Sequence, residues 1–402
     1  MKEIGIYIHI PFCVKKCDYC DFISYCDKAE YIEKYIESLK NEINNNLGAL
    51  LVRNTKGEYQ TAPLENSNYQ IKTVYIGGGT PSSIDSKYIV DLINTIKNVG
   101  ALSARNTNKE CQTAPLNNDI EITIEVNPGT VTENKLLDYK SAGINRLSIG
   151  LQETSHKLLK QIGRIHTYEE FLETYNLARK IGFRNINVDL MIGLPNQSIA
   201  NIKESLEKVI KLNPEHISVY SLILEEGTKL YKKYEEKQIE LPDEEIERNM
   251  YWYVKNTLEN NGYIHYEISN FAKPGYESKH NVSCWNQEEY IGFGVAAHSY
   301  IDNTRYSNVE SIEEYINGTD KIIHEKQSIE DMQKEYMLLG LRKIKGISVQ
   351  EFKNKFGDNP IFLFRNELSK LVEEDLIEVD GDDIKLTNKG LDLANKVWEE
   401  FI

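Results

Sequence analysis

The sequence predicts an α/β protein, built as a partial parallel (β/α) barrel that carries a smaller winged-helix-like unit at its C-terminal end. Three observations carry that expectation. Through the first half, short β-branched runs alternate with longer amphipathic segments, as parallel strands do with crossover helices. Several of those runs end directly in Gly, Pro or polar residues, and α/β barrels place their functional loops at such strand ends. From about Glu325 the pattern changes to three helices followed by two short strands around a turn at Gly381-Asp382-Asp383.

Strands are expected at residues 4–10, 73–76, 121–126, 146–150, 185–192 and 216–220, and helices fill the gaps, among them 29–44, 132–142, 168–181 and 199–211. This divides the chain into a barrel over residues 1–240, a connecting region over 241–324 and a winged-helix-like domain over 325–402. Read as a DNA-binding module, the last would use residues 361–375 as its recognition helix. That helix sets Arg365 and Lys370 against Glu367, Glu373, Glu374 and Asp375, which favours a packing or partner role instead.

One motif interrupts the barrel twice. Residues 48–66, GALLVRNTKGEYQTAPLEN, recur as residues 100–118, GALSARNTNKECQTAPLNN, each time after a helix and before a strand. Two copies with unlike flanks cannot stack as a solenoid. They read as insertions into loops, where extra length costs little closure entropy, and Cys111 inside the second copy is not expected to do chemistry.

A formal charge of −15 over 402 residues argues against nucleic acid and anionic lipid as partners. No apolar run approaches the ~20 residues of a membrane span, so stable membrane insertion is not expected and a cytoplasmic location is. Of six cysteines, Cys13, Cys17 and Cys20 are clustered, whereas Cys26, Cys111 and Cys284 are scattered. Clustered thiols in a reducing compartment point to metal.

The C-x3-C-x2-C spacing lets three thiolates from one loop reach three irons of a 4Fe-4S cubane, leaving the fourth iron open. Zinc completed by His9, and a redox pair at Cys17 and Cys20, are the alternatives. The next strand exits into Gly77-Gly78-Gly79-Thr80-Pro81, where glycines let the backbone approach a bound polar group. Later strand ends bring Glu125, Gln152 and Asp189 to the barrel mouth.

The cysteine spacing followed by GGGTP and an E-x-N-P strand end resembles the radical S-adenosylmethionine superfamily. GINRLSIGLQ and DLMIGLP make the chain similar to the branch that contains oxygen-independent coproporphyrinogen III oxidase. The resemblance implies that the open iron chelates S-adenosylmethionine and that one electron splits its carbon-sulfur bond to give a 5′-deoxyadenosyl radical. It also implies that Tyr7 and Tyr19 flank this cofactor, that Gly78, Gly79 and Thr80 hold its methionine amino end, and that Glu125, Gln152, Arg164 and Asp189 line the remainder.

Within that branch the oxidases carry a fourth cysteine two residues after the third, where this chain has Phe22, and a longer N-terminal extension. The chain more closely resembles the HemW-type haem chaperones, whose H-N-x-x-Y-W motif is assigned to haem and reads here His280-Asn281-Val282-Ser283-Cys284-Trp285. That likeness implies a protein that binds haem and passes it to an acceptor apo-haemoprotein. His280 is then the candidate axial ligand, Trp285 a porphyrin wall, and Cys284, which stands where the family has Tyr, and His298 are competing ligands. The alternatives are a decarboxylating oxidase of haem biosynthesis and a winged-helix regulator that senses iron or redox state.

Overall fold

The computed structural model describes residues 2–51, 69–105 and 120–402. Six strands form its centre: β1 (Lys2–Ile10), β2 (Tyr69–Gly78), β3 (Glu121–Val126), β4 (Arg146–Gln152), β5 (Asn185–Ile192) and β6 (His216–Ser221). They lie side by side in chain order, all parallel. Alternation along each strand sorts the side chains between two faces. Ile4, Ile6, Ile8 and Ile10 of β1, Ile122 and Ile124 of β3, and Leu147 and Ile149 of β4 are buried in the apolar core. The intervening positions carry Tyr7, Tyr75, Glu125, Ser148 and Asp189, so the other face is polar.

The crossover helices start and stop where their side chains dictate. Thr167 and Glu170 form a capping box ahead of helix Tyr168–Ile181, which ends at Gly182 with φ +98°. Ser198 and Asn201 do the same for helix Ile199–Leu212, which Asn213 closes in the left-handed conformation.

Two expectations need correction. The stretch taken as a connecting region is part of the main sheet, whose strands β7 (Ile264–Glu267), β8 (Asn270–Ala272), β9 (Tyr290–Phe293), β10 (His298–Ile301), β11 (Thr304–Ser307) and β12 (Ile322–Lys326) widen both edges. β8 pairs antiparallel with β6, and β9 runs parallel to β1. The repeat copies, in turn, do not begin in loops. Gly48–Leu51 is helical and Leu50 is buried in the core, while the helix Ser86–Arg105 runs into the second copy. The remainder of both copies, with Cys111, lies outside the described residues.

The C-terminal unit has its own core around Met337, Phe352, Leu371 and Ile384. Its sheet comprises β13 (Ile347–Ser348), β14 (Ile377–Asp380) and β15 (Asp383–Leu386), with Gly381 at φ +60° in the hairpin turn. Asp382 in that turn caps the helix Val349–Phe356 by accepting from the Gln350 amide at 2.9 Å. The expected recognition helix is two pieces, Pro360–Leu363 and Arg365–Glu373, broken at buried Phe364, and Lys370 is paired with Glu400 at 2.5 Å. This unit joins the barrel edge through Ile268 N–H to Arg342 O at 3.2 Å and Ile344 N–H to Tyr266 O at 3.1 Å. Among the described residues no helix is long and apolar enough to cross a membrane.

Candidate functional site

Cys13, Cys17 and Cys20 sit on the loop that leaves β1, and all three are partly exposed. The loop is pinned at both ends. Cys13 N–H donates to Tyr25 O at 2.9 Å and Tyr25 N–H to Pro11 O at 2.7 Å. Asp18 N–H donates to Ile162 O at 3.0 Å, and the Asp18 carboxylate pairs with Lys233 at 2.5 Å. His9, which a zinc reading enlists, has both ring nitrogens engaged, by the Tyr7 hydroxyl at 2.9 Å and Ile23 O at 2.8 Å.

The glycine run belongs to the same construction. Gly79 N–H donates to Ile10 O at 2.9 Å and Thr80 N–H to Phe12 O at 2.8 Å, which zips the exit of β2 to that of β1. A Cβ on Gly79 would stand 2.9 Å from both of those carbonyl oxygens, and Gly78 at φ +107° would drive one to 2.5 Å from the His9 ring. The run is therefore required for the loops to approach.

Two donors reach the thiols from behind. Asn127 Nδ2 donates to Thr80 Oγ1 at 2.8 Å, so the Thr80 hydroxyl proton is free to point at Cys13 Sγ, 3.5 Å away. On the other side Arg164 Nη1 donates to Cys17 Sγ at 3.6 Å, and its Nη2 donates to Asn127 Oδ1 at 2.9 Å and to Gly150 O. Cys13, Thr80, Asn127, Arg164 and Cys17 thus form one hydrogen-bonded chain along a cleft whose walls include Val14 and Pro128. Burial pushes the Cys20 thiol up to about 11 and raises that of Cys13, which the Thr80 hydroxyl partly offsets. Burial thus disfavours the thiolate form at Cys13 and Cys20. Asn127 escaped the sequence reading as a site residue, although the E-x-N-P string contains it.

The remaining candidates follow the strands. Glu125 accepts from the Tyr75 hydroxyl at 2.8 Å and from Gly78 N–H at 3.2 Å, and burial pushes its carboxyl up to about 7. Tyr7 stacks on Tyr75 with centroids 6.3 Å apart. Tyr19 packs beside Ile162, Met191 and Leu194, and burial raises its phenol while neighbouring Arg164 opposes the rise. Gln152 adopts φ +68°, and its amide crosses the face of Gly150. Asp189 accepts from Asn187 Nδ2 at 2.7 Å and from Ser148 Oγ at 3.2 Å.

Two of the three haem-ligand candidates share one helix, and the third lies on β10. His280 is buried at the N-terminal end of the barrel strands, where Nδ1 meets Thr73 Oγ1 at 2.8 Å and the ring stacks on Tyr75 at 5.2 Å. Burial pushes its imidazole down to about 4. Cys284 lies one turn further along the same helix, its thiol pushed up to about 11 by burial. His298 is exposed on β10 and stacks on His324 at 5.4 Å. Trp285 does not stand free as a wall: Arg342 lies over its ring at 4.4 Å and over Trp398 at 4.9 Å, at the join with the C-terminal unit.

Residues 7–209 match the Radical SAM superfamily model, and residues 328–393 match the HemN C-terminal domain. The chain is 36% identical to the heme chaperone HemW of Bacillus subtilis, over 98% of each chain. The likeness to the Lactococcus lactis protein of the same name is 35%, over 100% of this chain and 98% of that one. The chain belongs to the HemW-type family of the radical SAM superfamily. Its fold is also that of the Escherichia coli coproporphyrinogen III oxidase HemN, with a TM-score of 0.80 at 22% identity over 100% of this chain and 90% of that one.

Family membership implies a 4Fe-4S cluster and S-adenosylmethionine, and the residues present fit both. Three partly exposed thiols share one pinned loop, two of them with hydrogen-bond donors behind, beside the glycine run and the Glu125 carboxyl that accepts from Gly78.

Proposed function

We propose that this chain is a haem chaperone: it binds haem, carries a 4Fe-4S cluster with S-adenosylmethionine, and passes haem to an acceptor apo-haemoprotein in the cytoplasm. The observation that carries this reading is the end-to-end likeness to proteins named as haem chaperones, 36% identity over 98% of both chains in one case. Phe22 supports it. The position of the oxidases' fourth cysteine is held here by a phenyl ring that is 61% exposed.

In this reading Cys13, Cys17 and Cys20 hold the cluster. Gly78, Gly79, Thr80 and Glu125 take the methionine end of S-adenosylmethionine, and Tyr7, Tyr19, Gln152, Arg164 and Asp189 surround the rest. When bound, the cluster supplies single electrons. The protein's own part is to hold the thiolates and tune them, because hydrogen bonds to the sulfurs raise the reduction potential. Thr80 and Arg164 are placed to do so at Cys13 and Cys17. Thr73 Oγ1 engages Nδ1 of His280, so Nε2 would be the nitrogen available to a haem iron, and burial favours the neutral imidazole that such a ligand needs.

The test is a haem titration of anaerobically reconstituted protein, run beside an assay for 5′-deoxyadenosine. A saturable Soret band that persists when the three cluster cysteines are replaced, and that shifts or weakens in His280→Ala, is the expected result. No saturable haem binding would overturn the reading. If haem binds and His280→Ala is silent, the ligand is Cys284 or His298, and the single substitutions decide between them.

A further inference from the structure

The GINRLSIGLQ string holds a residue with no part in the proposed cluster, cofactor or haem-ligand sites. Arg146 opens β4 on the polar face of the sheet and is only 2% exposed. Its guanidinium makes no hydrogen bond or ion pair among the described residues, and Nε is buried without a partner. A buried cation of this kind is costly unless an anion meets it.

None of Asp189, Glu121 and Glu125 is hydrogen-bonded or ion-paired to the Arg146 guanidinium, although Asp189 feels its charge. Asp189 is held by Asn187 and Ser148 at 2.7 and 3.2 Å. Glu121 accepts from the backbone amides of Lys279 and His280, each at 3.2 Å. Glu125 is held by Tyr75 and Gly78. Arg146 nevertheless acts electrostatically on Tyr75, Asp189, His216, Tyr266 and His280, so it stands amid the polar side chains of the barrel interior. Tyr7, Tyr75, Glu125, Asp189 and Tyr266 are each partly exposed rather than sealed in the core. Arg146 lies at the floor of that interior. Gly150, beside Arg164 and the cysteine loop, is four residues further along β4, about 13 Å at strand rise.

We propose that the barrel interior is a carboxylate-binding chamber in which Arg146 receives a propionate of the bound tetrapyrrole. The guanidinium fork matches a carboxylate in two parallel hydrogen bonds, and the low-dielectric floor strengthens them. The choice of ligand rests on the haem reading. The binding chemistry itself is that of any carboxylate, and S-adenosylmethionine offers one at its methionine end. Distance separates the two sources, since the residues assigned to that end lie at the opposite end of the strands.

The experiment compares iron protoporphyrin IX with its dimethyl ester, which keeps the iron and ring but lacks the negative charges. Wild-type protein should bind the free acid at least tenfold more tightly, and Arg146→Gln should bring the ratio close to one, with Arg146→Lys between them. S-adenosylmethionine affinity, measured by equilibrium dialysis, should not change in either variant. Equal binding of acid and ester by wild type overturns the chamber and needs no variant to fold. A ratio unchanged in Arg146→Gln also overturns it. A loss in that variant confined to S-adenosylmethionine assigns Arg146 to the cofactor and overturns the propionate role. Failure of both porphyrins to bind wild type removes the haem reading itself, a different result from binding without discrimination.

Discussion

Asn127 is the point at which the cysteine loop can be loosened without touching a cysteine. Its amide donates to Thr80 Oγ1 at 2.8 Å and accepts from Arg164 at 2.9 Å, and those two residues are the donors behind Cys13 and Cys17. Asn127→Ala removes one neutral hydrogen bond, about 1 kcal/mol, and one to a charged group, about 1.5–3 kcal/mol. The sum, about 3 kcal/mol, corresponds to roughly 100-fold at 1.4 kcal/mol per decade. The assay is the rate at which an iron chelator bleaches the reconstituted cluster, with loss expected to accelerate by that order. Asn145→Ala is the control. It also deletes two side-chain hydrogen bonds, to Ile122 N–H and Ile120 O at 2.9 and 2.7 Å, but at the far end of the strands. It should lower Tm to a similar extent and leave chelation unchanged. Wild-type chelation kinetics in Asn127→Ala, or equal acceleration in both variants, would refute the idea that the Thr80–Asn127–Arg164 chain supports the cluster.

Anaerobic reconstitution should give about four irons per chain, abolished by Cys13→Ala, Cys17→Ala or Cys20→Ala and unchanged by Cys26→Ala or Cys284→Ala; a colourless zinc protein would contradict this. Acid stability should report the buried histidine. The His280 imidazole is pushed from 6.5 to about 4, so between those values the unfolded chain binds a proton that the folded chain refuses. Stability is therefore lost as pH falls from about 6.5 to 4, by about 3 kcal/mol for this group, and urea melts of His280→Gln should show a flatter acid limb than wild type. Excising residues 52–66 and 106–118 should leave Tm and iron content nearly unchanged. A deletion that starts at residue 48 takes buried Leu50 with it and should cost about 2–4 kcal/mol; equal Tm for the two deletions would show that Leu50 contributes nothing.

The parts of this architecture that local periodicity encodes were legible. All six central strands lie within a few residues of where β-branched runs place them, and helix Tyr168–Ile181 coincides with its expected span because Thr167 and Gly182 mark its ends. The strands from β7 to β12 were not legible, since each has only three to five residues, too few for alternation to register. Likewise the cysteine spacing and glycine run declared themselves, and the family resemblance named Thr80 and Arg164, whereas Asn127, which joins those two, stayed hidden. By residue type alone Arg164 is a loop cation, and its contact with Cys17 emerges only where Gly150, Asn127 and Cys17 converge on it from three segments. Trp285 reads as a ligand wall because nothing local reveals that Arg342, far along the chain, lies over its ring.

Chaperone and oxidase differ most directly in the fate of the tetrapyrrole. Reconstituted protein supplied with coproporphyrinogen III, S-adenosylmethionine and a reductant should release no carbon dioxide and form no protoporphyrinogen, while the same preparation loaded with haem should transfer it to an apo-haemoprotein, read as a shift of the Soret band. Sustained decarboxylation over many turnovers would contradict the haem-carrier assignment, whatever haem the protein also bound.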